Sequence, residues 1–333
     1  MNHASELTNE MILDALRQIV DPDFGKDIVA LGFVKDVRID GGEVACTIEL
    51  TTPACPVKEE FRKQAEALIG ALPGVRSTRI QMTSRVASHA PQGRQAIPGI
   101  RNIIAVASGK GGVGKSTVAV NLAVALRQTG GAVGIVDSDV YGPDVPLMLG
   151  ARGRPGMFDN KILPVEAHGL KMMSIGLLVN EREPLVWRGP MIHSFIQQML
   201  KDVLWGPLDV LVFDMPPGTG DAQLSLSQVI PLSGVVMVTT PQDVALLDVR
   251  KAIGMFQRLN VPILGIVENM SSFVAPDTGK RYAIFGEGGG RRIAEEYGVP
   301  LLAQLPLDPD TRVGGDEGAP ITLARPDSAQ ARA

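Results

Sequence analysis

The stretch Gly109-Lys110-Gly111-Gly112-Val113-Gly114-Lys115-Ser116-Thr117 constrains this chain more than any other, because a glycine loop of this spacing needs a strand before it and a helix after it. Each glycine omits a Cβ that would keep backbone N–H groups from curling around phosphate oxygens. Within the G-x-x-x-x-G-K-[ST] pattern, Lys115 reaches the β and γ phosphates and the Ser116 hydroxyl suits Mg2+. A helix starting here turns its positive end toward the anion. The flanks agree: Asn102 to Ala107 is a short apolar run fit for a buried parallel strand, and Val118 to Gln128 reads as an apolar, Ala-rich helix. The expectation is a P-loop that binds ATP with Mg2+ through residues Gly109 to Thr117.

Lys110 adds a second cation to the same loop. It would repel Lys115 unless more anionic charge stood nearby, and a partner subunit's nucleotide would supply that charge. Here the sequence resembles the deviant Walker A class of ATPases. The resemblance implies that Lys110 reaches across a face-to-face homodimer to the other subunit's phosphates.

The 333 residues exceed one typical domain, and a 45% hydrophobic, 20% charged composition describes an ordinary globular chain with a sizeable core. A net charge of -4 argues against general nucleic-acid binding. No apolar run approaches membrane-spanning length, and Met1 to Glu6 has neither the basic nor the apolar part of a secretory signal, so no membrane partner and a cytoplasmic location are expected. Two cysteines, Cys46 and Cys55, make no disulfide framework.

Organisation follows from pattern changes along the chain. Residues 1 to 84 form a small α+β domain. Thr8 caps a helix with apolar Met11, Ile12, Ala15, Leu16 and Ile19, ended by Asp21-Pro22-Asp23. A hairpin follows, Phe33 to Ile39 and then Val44 to Leu50 around Asp40-Gly41-Gly42; a helix from Val57 to about Leu72 and a strand near Arg79 to Thr83 complete the unit. Residues 85 to 99 lack periodicity and read as a linker. From residue 100 to 325, apolar runs at 102–107, 132–137, 208–213, 234–239, 262–267 and 301–305 alternate with helical segments, which predicts an α/β fold with a doubly wound, mostly parallel sheet. Residues 326 to 333 read as a frayed tail.

In such a sheet the strand ends face the ligand crevice, so the polar residues there are the candidates for chemistry. Asp137, Ser138 and Asp139 follow one run, and Asp139 is favoured as the carboxylate that orients the attacking water. Asp214 follows another and suits the Mg2+ hydration shell, with Met215-Pro216-Pro217-Gly218-Thr219-Gly220-Asp221 placed to sense the γ phosphate. Glu268 and Asn269 follow a third, and the Asn269 amide offers a donor and an acceptor to a purine edge.

Together these motifs, with Val136 to Asp139, Tyr141-Gly142-Pro143 and Val267-Glu268-Asn269-Met270, resemble the Mrp, or ApbC-type, ATPases, the iron-sulfur cluster carriers. Residues 8 to 84, with Thr51-Thr52-Pro53-Ala54-Cys55-Pro56, resemble the small domain that precedes the ATPase in bacterial members and also occurs in iron-sulfur assembly proteins. The resemblance implies a homodimeric ATPase that holds a labile iron-sulfur cluster and passes it to apoprotein clients. It also implies Lys110 as the signature lysine, Asp139 near the hydrolytic water and Asn269 near adenine.

One departure stands out. Many members carry a Cys-x-x-Cys pair after the Glu-Asn-Met run, whereas this chain has Ala275 and Thr278 at those positions. Neither is a ligand for such clusters, which thiolates hold. Cys46 shares a strand face with Val44, Ile48 and Leu50 and reads as core. Cys55, just before Pro56 at the predicted helix start, is the one candidate thiolate, although Glu59 and Glu60 oppose its ionisation. The four histidines show no metal-site spacing. Two readings therefore stay open: a cluster carrier, and a nucleotide-switched scaffold or regulatory ATPase that binds clients without metal. A septum-site or partition ATPase would want a basic amphipathic C-terminal helix, and residues 321 to 333 do not supply one.

Overall fold

The structure, a computed structural model, describes residues 7–22, 24–52, 55, 57–85, 96–178 and 189–333, in two compact units, 1–87 and 88–333.

In the first unit, Thr8 accepts a hydrogen bond from Met11 N and starts the helix Asn9–Leu16, which buries Ile12, Ala15 and Leu16. The helix is shorter than its apolar spacing suggests. Ile19 is buried beyond its end, and the chain passes directly into Val20–Asp21, paired antiparallel with Lys26–Asp27. Glu43–Leu50 pairs antiparallel with Val34–Asp40 and parallel with Ser77–Ser84, its inward face being Val44, Cys46, Ile48 and Leu50. The second helix, Lys58–Gly70, lays Phe61, Ala65 and Ile69 into that core. Its cap is Val57, so the helix begins one residue after the expected start; Pro53, Ala54 and Pro56 lie outside the described residues.

The second unit is built on an eight-stranded sheet. Its order is Val165–Ala167, Leu170–Ser174, Val133–Asp137, Leu208–Asp214, Ile100–Ser108, Gly234–Thr239, Ile263–Glu268, Leu301–Gln304. All neighbours are parallel except the first pair. The six apolar runs are all strands, and Gly234–Thr239 is buried at every position, as a strand covered on both faces must be. Sequence pattern missed Val165–Ala167 and Leu170–Ser174: the first has only three residues, and in the second Lys171 interrupts the apolar residues Leu170, Met172 and Met173.

The start of this unit and its end both differ from expectation. Residues 86–95 of the predicted linker lie outside the described residues, but Ile97 packs on the larger unit's core and Gly99 O accepts from Leu208 N at 2.8 Å. The predicted frayed tail contains the helical turn Ala329–Arg332, capped by Ser328 and burying Gln330. Among the described residues, no helix is long and apolar enough to cross a membrane.

Candidate nucleotide site

The strand Ile100–Ser108 ends at the centre of the sheet, and the glycine loop turns from it into the helix Lys115–Gln128. Glycine is required here for two distinct reasons. Gly112 and Gly114 have φ of +78° and +84°, left-handed values that a Cβ penalises. Gly109 has no room: a Cβ there would lie 2.4 Å from backbone atoms of Asp248 and Val249. The helix N-terminus opens onto a cavity of about 460 Å³ lined by Lys110, Gly111, Gly112, Gly114, Lys115, Ser116, Thr117, Asp139 and Pro217. A helix terminus with orphan N–H groups beside two lysines is a site for anionic phosphates.

Behind the loop, Lys115 Nζ donates to Asp214 Oδ1 at 2.5 Å and to Ser116 Oγ at 3.2 Å. The other carboxylate oxygen, Asp214 Oδ2, is buried without a hydrogen-bond partner. Burial pushes this carboxyl above its ordinary range, while Lys115 and Ser116 pull the other way. An orphaned carboxylate oxygen near a serine hydroxyl fits a hard divalent cation such as Mg2+, which takes oxygen ligands.

Asp137 and Asp139 separate cleanly. Asp137 is wholly buried and its oxygens are committed: Oδ1 accepts from Asp139 N at 3.1 Å, and Oδ2 from Ser174 Oγ at 2.9 Å and Val145 N at 3.3 Å. Its carboxyl is driven well up, first by burial and then by the nearby Asp214. Ser138 Oγ donates to Asp214 O at 2.6 Å, stitching the two strand ends together. Asp139 instead lines the cavity, and burial raises its carboxyl against the pull of Lys115. In the Met215–Asp221 segment, Gly218 N donates to Ser108 O at 3.2 Å and Pro217 reaches the cavity; the Asp221 side chain lies outside the description.

Asn269, the residue expected near adenine, packs against the phosphate loop from the end of the strand Ile263–Glu268. Its Nδ2 donates to Val113 O at 2.9 Å, against the loop itself. A wall that pattern reading missed comes from the helix Pro309–Glu317, which brings Thr311, Arg312, Gly315 and Asp316 to the cavity. Asp308 and Pro309 signal a helix start in the sequence, but nothing there ties it to a loop two hundred residues upstream.

The cysteine positions are as informative. Cys46 is buried in the first unit's core, and burial pushes its thiol up to about 11. Cys55 is half-buried against the same core. In the second unit, Phe273–Val274 pairs with Arg281–Tyr282, and the intervening turn buries Ala275 and exposes Thr278. Among the described residues, no group of three or more His, Cys, Asp or Glu side chains could hold a metal.

Comparison with known proteins accounts for both units. Residues 99–333 match the family described as the NUBPL iron-transfer P-loop NTPase, and residues 9–82 match the iron-sulfur cluster assembly protein family. The chain is similar to an iron-sulfur cluster carrier protein of a Synechocystis species, 49% identical over 98% of this chain and 95% of that one. It is 48% identical to the iron-sulfur cluster carrier protein of Deinococcus radiodurans, over 98% and 92% of the two chains. Among solved structures, a nucleotide-binding protein from Archaeoglobus fulgidus in complex with ADP superposes with a TM-score of 0.61 at 40% identity, covering 67% of this chain and 88% of that one.

Proposed function

Because this chain belongs to the NUBPL iron-transfer P-loop NTPases, we propose that it binds and hydrolyses ATP with Mg2+ and, as a homodimer, carries iron-sulfur clusters to apoprotein clients. The observation that carries the nucleotide part is the single cavity that joins Lys110, Lys115, Ser116 and Asp139 at a helix N-terminus, with the unpartnered Asp214 oxygen behind it.

The residues divide the work. Backbone donors from Gly109 to Thr117 cradle the phosphates, and Lys115 leaves Asp214 for the β and γ phosphates. Ser116 and Asp214 would hold Mg2+, which supplies charge neutralisation at the phosphates. Asp139 orients the attacking water from the cavity wall. Lys110, partly exposed at the cavity mouth, reaches the partner subunit's phosphates. Two free thiols and no disulfide among the described residues suit a reducing compartment such as the cytoplasm.

Cargo is the point on which a second reading has support. Ala275 and Thr278 replace the thiolate pair, and each subunit then offers Cys55 as its accessible thiol, two per dimer. That favours either a cluster bridging two Cys55 thiolates with ligands from elsewhere, or a metal-free scaffold that the same nucleotide cycle drives. Anaerobic reconstitution with iron and sulfide, reading bound iron and visible absorption for the intact chain beside Cys55→Ser, tests the carrier reading. A cluster in the intact chain that the variant lacks supports it, whereas ATP binding without any cluster turns the assignment to the scaffold.

A further inference from the structure

The segment Met215–Asp221 follows the strand Leu208–Asp214, brings Pro217 to the cavity and passes into the helix Asp221–Val229. The sheet holds its first part: Met215 N donates to Val106 O at 3.0 Å, and Gly218 N to Ser108 O at 3.2 Å. Thr219 and Gly220 beyond it are exposed, and a Cβ on Gly218 or Gly220 would meet nothing within 4 Å, so this stretch has room to move. The helix starts at Gly220 without a side-chain cap.

Gln223, the third residue of that helix, is 1% exposed, and its neighbours three and four places on, Leu226 and Ser227, are wholly buried. Neither end of its carboxamide, Nε2 or Oε1, has a hydrogen-bond partner among the described residues. A buried amide with both ends unpaired is costly, and a leucine of similar length would fill the core without that cost. At the third helical position, glutamine is also the side chain that reaches back to the N–H of the cap residue. Here it lies in the core instead of on the cap.

We propose that Gln223 is a positioning residue for ATP hydrolysis, unpaired in the arrangement seen here and engaged when the Met215–Asp221 segment closes on a γ phosphate. Closure brings the Gly220 N–H to the carboxamide Oε1, which caps the helix, locks the segment and holds Pro217 at the cavity. ADP has no γ phosphate for the segment to close on, so the hydrogen bond belongs to the ATP state. The proposal rests on the nucleotide reading given above and adds a residue that touches neither phosphate nor Mg2+.

Thermal unfolding of the full chain and of Gln223→Leu, each alone, with Mg-ADP and with Mg-AMPPNP, an ATP analogue that is not hydrolysed, tests this. Alone, the variant should unfold about 3 °C above the parent, since it buries no unpaired amide. AMPPNP should raise the variant's midpoint by less than the parent's, the shortfall being at least that same gain, while ADP raises both equally. Turnover should split in the matching way, with kcat about tenfold lower and KM within about twofold. A variant that unfolds no higher than the parent, or does not fold, overturns the proposal, because the amide then has a partner such as a buried water without any closure. Equal AMPPNP shifts in the two chains overturn it as well, and so does unchanged turnover. If neither nucleotide raises the midpoint of the parent, the nucleotide reading itself fails and the proposal with it.

Discussion

Lys115 Nζ, at the start of the helix Lys115–Gln128, and Asp214 Oδ1, at the end of the strand Leu208–Asp214, stand 2.5 Å apart, with 6% and 1% of their side chains exposed. This is a buried ion pair in which one charge without the other is costly, since neither can be rehydrated in place. Asp214→Ala, in the absence of nucleotide, should therefore lose about 3–5 kcal/mol of unfolding free energy in urea titration. The double variant Lys115→Met with Asp214→Leu should lose less than the sum of the two single changes; simple additivity would show that the pair is not energetically coupled.

Lys110 lines the same cavity without that buried partner, so its removal should act on assembly and not on binding. Lys110→Ala is expected to keep ATP affinity within about threefold, to lose ATP-dependent dimerisation in sedimentation velocity, and to lose at least about a hundredfold in turnover. Turnover equal to the parent would contradict a shared active site.

Asp139 links catalysis to acid sensitivity. Burial holds its carboxyl above the ordinary 3.8, so the folded chain keeps this proton more tightly than the unfolded chain does. Its contribution to stability is therefore complete below the ordinary value and is lost as pH rises through the raised folded value. Asp139→Asn removes that dependence: its stability relative to the parent should improve as pH climbs through this window, read from urea midpoints. The same variant should bind ATP and fail to turn it over, and the parent's turnover should fall on the acid side at a pH above 3.8.

The two thiols should differ in reactivity. Cys46, raised from 9.0 to about 11 by burial, holds roughly a thousandth of its molecules as thiolate at pH 8. Mass spectrometry after iodoacetamide treatment at that pH should find Cys55 modified and Cys46 untouched in the folded chain, with both modified in denaturant. Rapid modification of Cys46 in the native protein would mean that the first unit opens on the labelling timescale.

The predicted boundaries succeed where a local rule has no competitor. Gly234–Thr239 needs no partner to be recognised as a strand, because the unbroken apolar run Val235 to Val238 has nowhere to go but a covered sheet. They fail where an end is set by what lies across from it. Ile19 has helical spacing from Leu16, yet it is buried outside the helix because the chain turns there to pair Val20–Asp21 with Lys26–Asp27. Leu170–Ser174 becomes a strand only because Val133–Asp137 offers it an edge.

The sequence by itself determined the phosphate loop, the parallel sheet around it and the carboxylates at its strand ends, because each is written in residues close together along the chain. Which carboxylate faces the cavity was decided by tertiary structure: Asp137 and Asp139 are two residues apart, and Ser174 and Val145, brought in from elsewhere, occupy Oδ2 of the first while the second lines the cavity. The same holds for Asn269 beneath Val113 and for Thr311 and Arg312 at the cavity wall. Spacing specifies a residue's local geometry, but its partners across 150 or more positions exist only once the sheet has assembled and set the distances between them.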